Sequence, residues 1–138
     1  MINQTYTSDY VDVEYIDNNR VQIMRLYSVT RQAVDEYIAI VEDEIIGIEG
    51  SVLLTIQDFT QLGRSITPYF VGKITELSKE RERPDLEGRI AIVTNMDIFR
   101  FVFNPVAKLI TKVNDKIELR FFTDMTIAAE WVSAYQEQ

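Results

Sequence analysis

Two short apolar runs, SVLLTIQ at residues 51–57 and RIAIVTN at residues 89–95, constrain the fold of this chain more than any other feature. Each has the length of a β-strand and lacks the alternation of polar and apolar residues that marks a strand with one face in water. Such runs are typical of strands covered on both faces, as in a parallel sheet between helices. We therefore expect two buried strands, with 51–57 the best candidate for the centre of the sheet.

A β-hairpin is predicted before the first of these runs. Tyr10 to Asp17 and Arg20 to Tyr27 both have strand-like patterns, and apolar and acidic residues alternate in the first of them. Asn18 and Asn19 separate the two segments and tolerate the positive φ angles of a tight turn.

Four segments space their apolar residues by three and four positions, which indicates amphipathic helices. Three of these segments follow Thr30, Ile66 and Asp124, and the fourth occupies residues 97–113. A strand in which charged and apolar residues alternate, at 116–122, precedes the last helix. The residues suited to cap or begin the helices are Thr30, Thr67 with Pro68, and Asp124 or Thr126.

Pro105 lies inside the third helical segment. Either one helix kinks there, or Asn104 caps a second helix that Pro105 begins. We favour a single kinked helix.

The predicted order of elements is ββαβαβαβα. Because parallel neighbours in a sheet need helical crossovers, this order predicts an α/β fold with a mixed, mainly parallel sheet. The sheet would carry an N-terminal hairpin, and about four helices would pack on it. A chain of 138 residues can bury a substantial core unaided, so we expect a single domain at 1–138.

The composition excludes most catalytic chemistry. The chain has no His and no Cys, so it lacks the usual general base, a thiolate nucleophile and the preferred ligands of zinc. It also has no Gly-rich phosphate loop and no nucleophile elbow. We expect a non-enzymatic protein with no cofactor and no metal.

The charge balance limits the possible partners. Fourteen Lys and Arg against 22 Asp and Glu give a net charge of -8, which disfavours nucleic acid and anionic membranes. The first residues lack the basic start and apolar core of a signal peptide, and no apolar run could span a bilayer. We therefore expect a cytoplasmic protein.

Three motifs in order, LLTIQDF, RIAIVTN and IELRFFTDMTIAAEWV, resemble the STAS-like superfamily, which includes sulfate-transporter and anti-sigma-factor-antagonist domains. The chain is most similar to small, stand-alone, mostly uncharacterised bacterial members. These members end in a strand, a Phe, an acidic residue and a helix with Ala and Trp. The matching residues are Phe122, Asp124, Ala129 and Trp131. The resemblance covers the chain from about Arg20 onward and implies the STAS-like fold.

The resemblance draws attention to the loop after the central strand. In regulatory members a serine in an Asp-Ser-Ser-Gly-like turn is phosphorylated there by a partner kinase. Here the matching DFTQLGRSIT keeps Asp58, Thr60, Gly63 and Ser65 but not that motif. A phosphate on Ser65 or Thr60 would lie near Arg64 and the start of a helix. The alternative is that Ser65 only caps that helix.

A second candidate surface follows the next buried strand. Asn95, Met96 and Asp97 leave that strand at the same edge of the sheet, where open α/β sheets bind ligands. They would form the other wall of a ligand or partner surface. The alternative is a turn with a helix cap.

The third helical segment begins with a dense cluster of phenyl rings, those of Phe99, Phe101 and Phe103. One helix face cannot bury all of them, so at least one ring should face something other than the core. We take Phe99 and Phe103 as candidates for a ligand or partner surface, with a helix covered on two sides as the alternative.

Three acidic residues invite a metal or phosphate role. Asp12 and Glu14 share one strand face, but a Ca²⁺ site normally needs more ligands, so a solvated face is the better interpretation. Asp58 resembles the phosphate-accepting Asp of receiver domains, yet neither their acidic pair nor their late Lys has a counterpart here.

These observations favour a regulatory or scaffolding domain that binds a protein partner, or itself as a homodimer, through its helices and the loop around Ser65. The alternative is a carrier or sensor of a small apolar molecule such as a lipid. Its pocket would lie between helices and sheet, lined by Phe70, Phe99, Phe103 and Trp131. An enzyme that uses carboxylates, Tyr, Lys or Ser ranks last.

Overall fold

The structure, a computed structural model, describes residues 5–62, 66–80 and 83–136. The strands are β1 (Tyr6–Thr7), β2 (Val11–Ile16), β3 (Val21–Leu26), β4 (Val52–Asp58), β5 (Glu87–Val93) and β6 (Ile117–Phe122). The helices are α1 (Arg31–Val41), α2 (Pro68–Glu80), α3 (Asp97–Val113) and α4 (Met125–Ser133). The predicted order of elements is confirmed, and the short β1 is an addition to it.

The strands form one six-stranded sheet in chain order from β1 to β6. Strands β1, β2 and β3 are antiparallel neighbours, whereas β3, β4, β5 and β6 run parallel. The mainly parallel sheet with an N-terminal hairpin is thus confirmed. The central place predicted for residues 51–57 is confirmed as well, because β4 lies between β3 and β5.

The helices divide between the two faces of the sheet. Successive right-handed crossovers from β3 to β6 advance in one direction, so they place α1, α2 and α3 on the same face. We call this the front face, and the face covered by α4 the back face. The front core includes Met24, Tyr37, Phe70 and Phe99, and the back core includes Ile23, Ile56, Ala128 and Val132.

The hairpin turn has the backbone that its sequence predicts. Asp17, Asn18 and Asn19 have φ angles of 54°, 55° and 64°. Asn and Asp adopt this left-handed region more readily than other residues with a Cβ atom. The turn sets Ile16 opposite Val21 and so fixes the register of β2 and β3.

Three helices have the N-caps that the sequence predicts. Thr30 Oγ1 accepts a hydrogen bond from the Ala33 amide at 3.2 Å, and Thr67 Oγ1 accepts one from the Phe70 amide at 3.2 Å. The cap of α4 is Asp124, whose Oδ1 accepts from the Ile127 amide at 3.1 Å. These bonds satisfy amides that the first turn of a helix leaves free.

Helix α3 begins without a side-chain cap, which corrects the turn with a helix cap considered for Asn95, Met96 and Asp97. Its N-cap position is Met96, which makes no side-chain capping bond. The helix starts one residue too late for Asn95 to cap it, and Asp97 is already in its first turn. Thr94 holds the turn instead, because its Oγ1 accepts from the Met96 amide at 3.2 Å.

Pro105 lies within α3, which continues through it as one helix. The alternative of a second helix begun by Pro105 is therefore wrong. Helix α1 widens at its C-terminal end into a π-helical turn, Glu42–Ile46, and Gly47 ends it. The Gly47 amide donates to the Glu42 carbonyl at 2.8 Å.

The front core has an aromatic end. The rings of Tyr37, Phe59, Phe70, Phe99 and Phe103, which we call the aromatic cluster, contact one another near the carboxyl ends of the parallel strands. Phe70 and Phe103 have ring centroids 5.5 Å apart in an edge-on arrangement. Such contacts add to the free energy gained by burying the rings.

Candidate functional site

An apolar cavity of about 140 Å³ lies between the front face of the sheet and helices α1, α2 and α3. It begins beside Phe59 and Phe103 and extends toward the amino-terminal ends of the parallel strands, where Ile117 lines it. A dry cavity of ~150 Å³ in another protein binds benzene, so this volume suits a molecule of that size. The aliphatic side chains in the wall include those of Val41, Ile45, Leu53, Leu77, Ile90 and Val106.

The π-helical turn after α1 forms part of the cavity wall through Ile45 and Ile46. Turns of this kind are frequent at functional sites. Glu44, in the same turn, accepts a hydrogen bond from the Tyr15 hydroxyl at 3.2 Å. This bond ties the turn to the front face of the sheet.

A chain of hydrogen bonds crosses the front face beside the cavity. The Tyr37 hydroxyl donates to Gln57 Oε1, and Gln57 Nε2 donates to Thr55 Oγ1 at 2.9 Å. Thr55 Oγ1 donates to Gln22 Oε1 at 2.9 Å, and Gln22 Nε2 donates to Tyr15 Oη at 3.2 Å. We call these five residues the polar chain. Its bonds satisfy polar side chains whose burial would otherwise cost free energy.

The donors of the polar chain all point in one direction, from Tyr37 to Tyr15 and on to Glu44. Aligned hydrogen bonds strengthen one another in a low-dielectric interior. Burial raises the pKa of the Tyr37 phenol and that of the Tyr15 phenol, so both hydroxyls stay protonated at neutral pH. The hydroxyl hydrogens of Tyr37 and Thr55 are thus already used within the chain.

Arg83 lies at the cavity wall and joins two loops. Its Nη1 donates to the carbonyls of Ile46 and Ile48, the latter at 3.2 Å, and its Nη2 donates to the Gly50 carbonyl at 3.0 Å. Its Nε and Nη2 also donate to the two carboxylate oxygens of Asp85, each at 2.9 Å. The Arg83 guanidinium lowers the pKa of Asp85, mainly through this hydrogen bonding, so the pair stays charged.

Asn114 also lines the cavity, between α3 and β6. Its amide donates to the Ile110 carbonyl at 3.0 Å, and its carbonyl accepts from the Ile117 amide at 3.0 Å. The residue is 8% exposed, and its side-chain Oδ1 is buried without a hydrogen-bond partner. The backbone is therefore anchored while the side-chain acceptor is unsatisfied.

Asp58, predicted as part of an interaction or phospho-acceptor loop, is buried at the end of β4. Its Oδ1 accepts from the Thr60 amide at 2.9 Å and the Thr60 hydroxyl at 2.7 Å. Its Oδ2 accepts from Arg25 Nε at 3.2 Å. Asp58 and Thr60 therefore close a turn together. The rest of that prediction, Gly63, Arg64 and Ser65, lies outside the described residues.

The three residues of the second predicted surface differ in their exposure. Asn95 and Asp97 are exposed beside the start of α3, whereas Met96 is half-buried against the front core. The cavity wall does not include any of the three. The structure thus brings them together at the carboxyl edge of the sheet, apart from the cavity.

One phenyl ring of α3 faces away from the core as expected, but it belongs to neither of the two candidates, Phe99 and Phe103. Phe99 and Phe103 are 0% and 3% exposed, because they lie on the side of α3 that faces the sheet. Neither ring is available to a partner at the surface, and the ring that points outward is Phe101, 79% exposed.

The predicted pocket lining is also corrected in part. Phe103 lines the cavity, whereas Phe70 and Phe99 pack elsewhere in the aromatic cluster. Trp131 packs on Phe122 at the back face, so the sheet separates it from the cavity.

Asp12 and Glu14 each bind a neighbouring side chain. Asp12 accepts from the Tyr27 hydroxyl, and Glu14 pairs with Arg25 at 3.1 Å. In the described ranges, no group of three or more acidic residues is arranged to hold a metal. Over the same ranges, no helix is both long enough and apolar enough to cross a bilayer.

The polar chain and Asn114 are the site residues that sequence reasoning missed. Gln22, Thr55 and Gln57 alternate in phase with apolar residues that face the front core, Met24 and Leu53. A polar residue at an inward position of a buried strand was therefore the signal that could have located the chain.

Comparison with known proteins supports the fold. No family model and no curated protein matches the chain. A crystal structure of an uncharacterized protein of the DUF3478 family with a SpoIIAA-like fold, from Shewanella loihica PV-4, matches with a TM-score of 0.61. The match covers 94% of this chain and 99% of that chain at 13% identity. The chain therefore has a SpoIIAA-like, that is STAS-like, fold, and the resemblance is confirmed at that level alone.

Proposed function

We propose that this protein binds a small apolar molecule in the front cavity and acts as its carrier or sensor. The observation that carries the proposal is the apolar cavity of about 140 Å³ beside an ordered polar chain. Protein interiors are close-packed, and empty volume in a core costs stability. A bound molecule would fill this volume and recover the missing contacts.

The chemistry of the wall supports binding without catalysis. The sequence contains no His and no Cys. Tyr37 and Thr55 use their hydroxyl hydrogens within the polar chain, and the charge of Arg83 is paired with Asp85. These groups order the wall and are poorly placed to act on a substrate, so we infer a non-enzymatic role.

A titration with toluene tests the proposal, read by NMR of isoleucine δ1-methyl groups. Ile90 and Ile92 line the cavity, whereas Ile23 and Ile56 lie in the back core and are internal controls. We expect saturable shifts of the Ile90 and Ile92 signals and none for Ile23 or Ile56. Native mass spectrometry of the protein as purified would then show whether it retains a molecule from its host.

A cavity-filling variant provides the matched control. Ala107 lines the cavity on α3, and Ala107→Leu should occupy the space and abolish the toluene shifts. Ala129→Leu makes the same chemical change on α4 at the back face and should leave them intact. Toluene shifts that survive in Ala107→Leu, or no shifts in the wild type, would contradict the proposal.

A regulatory or scaffolding domain that binds a protein partner, or forms a homodimer, is the second candidate function. The exposed ring of Phe101 favours it, because an apolar side chain at 79% exposure gains free energy when another surface covers it. The two functions are compatible, since Phe101 lies on the outer side of α3 and Phe103 faces the cavity.

A further inference from the structure

We infer that the molecule held in the front cavity is uncharged and carries a hydroxyl or N–H donor, which Asn114 accepts. This inference rests on the proposed function and names the class of ligand for the same cavity. It follows from how the hydroxyls, the guanidinium and the amide oxygens of the described wall are used.

The hydroxyl donors of the wall are already used. Tyr37 donates to Gln57, Thr55 donates to Gln22, and Ser78 Oγ donates to the Ile74 carbonyl at 2.9 Å. A hydroxyl has one hydrogen, so each of these side chains can only accept a further bond. The hydroxyls of the wall therefore favour a ligand that donates.

The N–H donors of Arg83, the cation of the wall, are also occupied. A guanidinium has five N–H donors, and those of Arg83 go to three backbone carbonyls and to both oxygens of Asp85. Asp85 also balances the charge. A carboxylate or phosphate entering the cavity would lose its hydration without gaining a free cation, which is strongly unfavourable.

Asn114 supplies the complementary acceptor. Its Oδ1 is buried without a partner, although buried polar atoms in folded proteins are nearly always hydrogen-bonded. The other amide side chain of the wall, that of Gln57, has its oxygen occupied by Tyr37. A ligand donor that reaches Asn114 Oδ1 would remove the cost of the unsatisfied acceptor.

Three probes of similar size test the inference: toluene, phenol and benzoate. Each is titrated into the methyl-labelled protein, with Ile90 and Ile92 as reporters and Ile23 and Ile56 as controls. We expect phenol to bind with a Kd about tenfold lower than toluene, because one net hydrogen bond is worth roughly that ratio. Benzoate should cause no saturable shift at the reporters.

Two variants assign the effect to Asn114. Asn114→Leu removes the acceptor at similar size, so toluene should still bind while the tenfold preference for phenol disappears. Asn95→Leu makes the same change at an exposed position outside the cavity and should keep the preference. The methyl spectrum of each free variant reports whether it is folded.

The outcomes separate the inference from the proposed function. Equal affinities for toluene and phenol, tighter binding of benzoate, or an unchanged preference in Asn114→Leu would each overturn the inference while toluene binding still supported the proposed function. Failure of all three probes to shift Ile90 and Ile92 would contradict both.

Discussion

The two faces of the sheet are built differently, although the same strands supply both. In the part of the chain that the structure describes, the front face carries three helices, the aromatic cluster and the cavity, whereas the back face carries α4, a helix of nine residues. On the back face Ala128 and Val132 are fully buried against the sheet. Small side chains allow a single helix to pack closely on a sheet, whereas the front helices leave a cavity between their aliphatic side chains and the sheet.

The contrast extends to polar groups. The polar chain and Asn114 lie on the front face, inside the core. The back face keeps its charged groups at its margins, where Arg89 and Arg120 lie over the ring of Trp131, at 4.8 and 5.0 Å from its centroid. The buried polar groups described above are thus concentrated on the front face.

The largest effect is expected at the aromatic cluster, the tightly packed end of the front face. Phe70 is fully buried, with ring centroids 5.7 Å from Phe59 and 5.5 Å from Phe103. Phe70→Ala should lower the free energy of unfolding by about 3–5 kcal/mol, measured by urea denaturation. Phe101→Ala, which removes an exposed ring on α3, is the control. A cost for Phe70→Ala below ~1 kcal/mol would mean that the whole front face is loosely packed.

A pair of alanines compares the two faces directly. Ala128→Leu inserts atoms where the back core has no space, and we expect a loss of about 1–3 kcal/mol. Ala107→Leu places the same atoms in the cavity, so stability should stay the same or rise. Urea denaturation of both variants measures the difference. Equal losses at the two positions would show that the contrast in packing is wrong.

Because Tyr37 of the polar chain is buried, the free energy of unfolding should depend on pH in the alkaline range. Burial raises the pKa of Tyr37, whereas an unfolded Tyr titrates near ~10. Above that pH the unfolded chain loses the proton and the folded chain keeps it. The unfolding free energy should therefore fall by up to ~1.4 kcal/mol per pH unit.

Urea denaturation at pH values on either side of the tyrosine range measures this loss. In Tyr37→Phe the folded and unfolded states no longer differ at this position, so the alkaline loss should be smaller than in the wild type. Tyr6→Phe makes the same chemical change at an exposed position and is the matched control. An identical pH dependence in the wild type and Tyr37→Phe would place the titrating group elsewhere.

The sequence predicted nearly all of the fold because local patterns determine it. The runs at 51–57 and 89–95 are buried strands, and the caps Thr30, Thr67 and Asp124 form as expected. The bounds of α3 at 97–113 are also as predicted, but its expected helix cap does not form, and the Thr94 side chain holds the turn before it.

The candidate site was harder to predict because it depends on contacts between distant elements. Sequence reasoning looked to the carboxyl ends of the strands, where open α/β sheets usually bind ligands. The cavity instead extends to the opposite ends, where Leu53, Ile117 and Asn114 meet. The bond between Gln57 and Tyr37 depends on how α1 lies on β4, which no local pattern specifies.

The smallest effect on stability is expected at the outward ring of α3. The density of phenyl rings predicted that one of them faces away from the core, and that ring is Phe101. Phe101→Ser should change the unfolding free energy by no more than about 0.5 kcal/mol, because the ring has few contacts to lose. If the ring lies at a contact between two copies, the same change should turn a dimer into a monomer in sedimentation velocity experiments.

Ile127, 55% exposed on α4, provides the matched control on the back layer. Ile127→Ser removes a comparable apolar side chain and should leave the dimer intact if the front layer makes the contact. Dissociation by Ile127→Ser alone would move the contact to the back layer. A wild-type protein that sediments as a monomer at all concentrations would exclude the homodimer. In that case the exposed ring of Phe101 would remain available to a different protein partner.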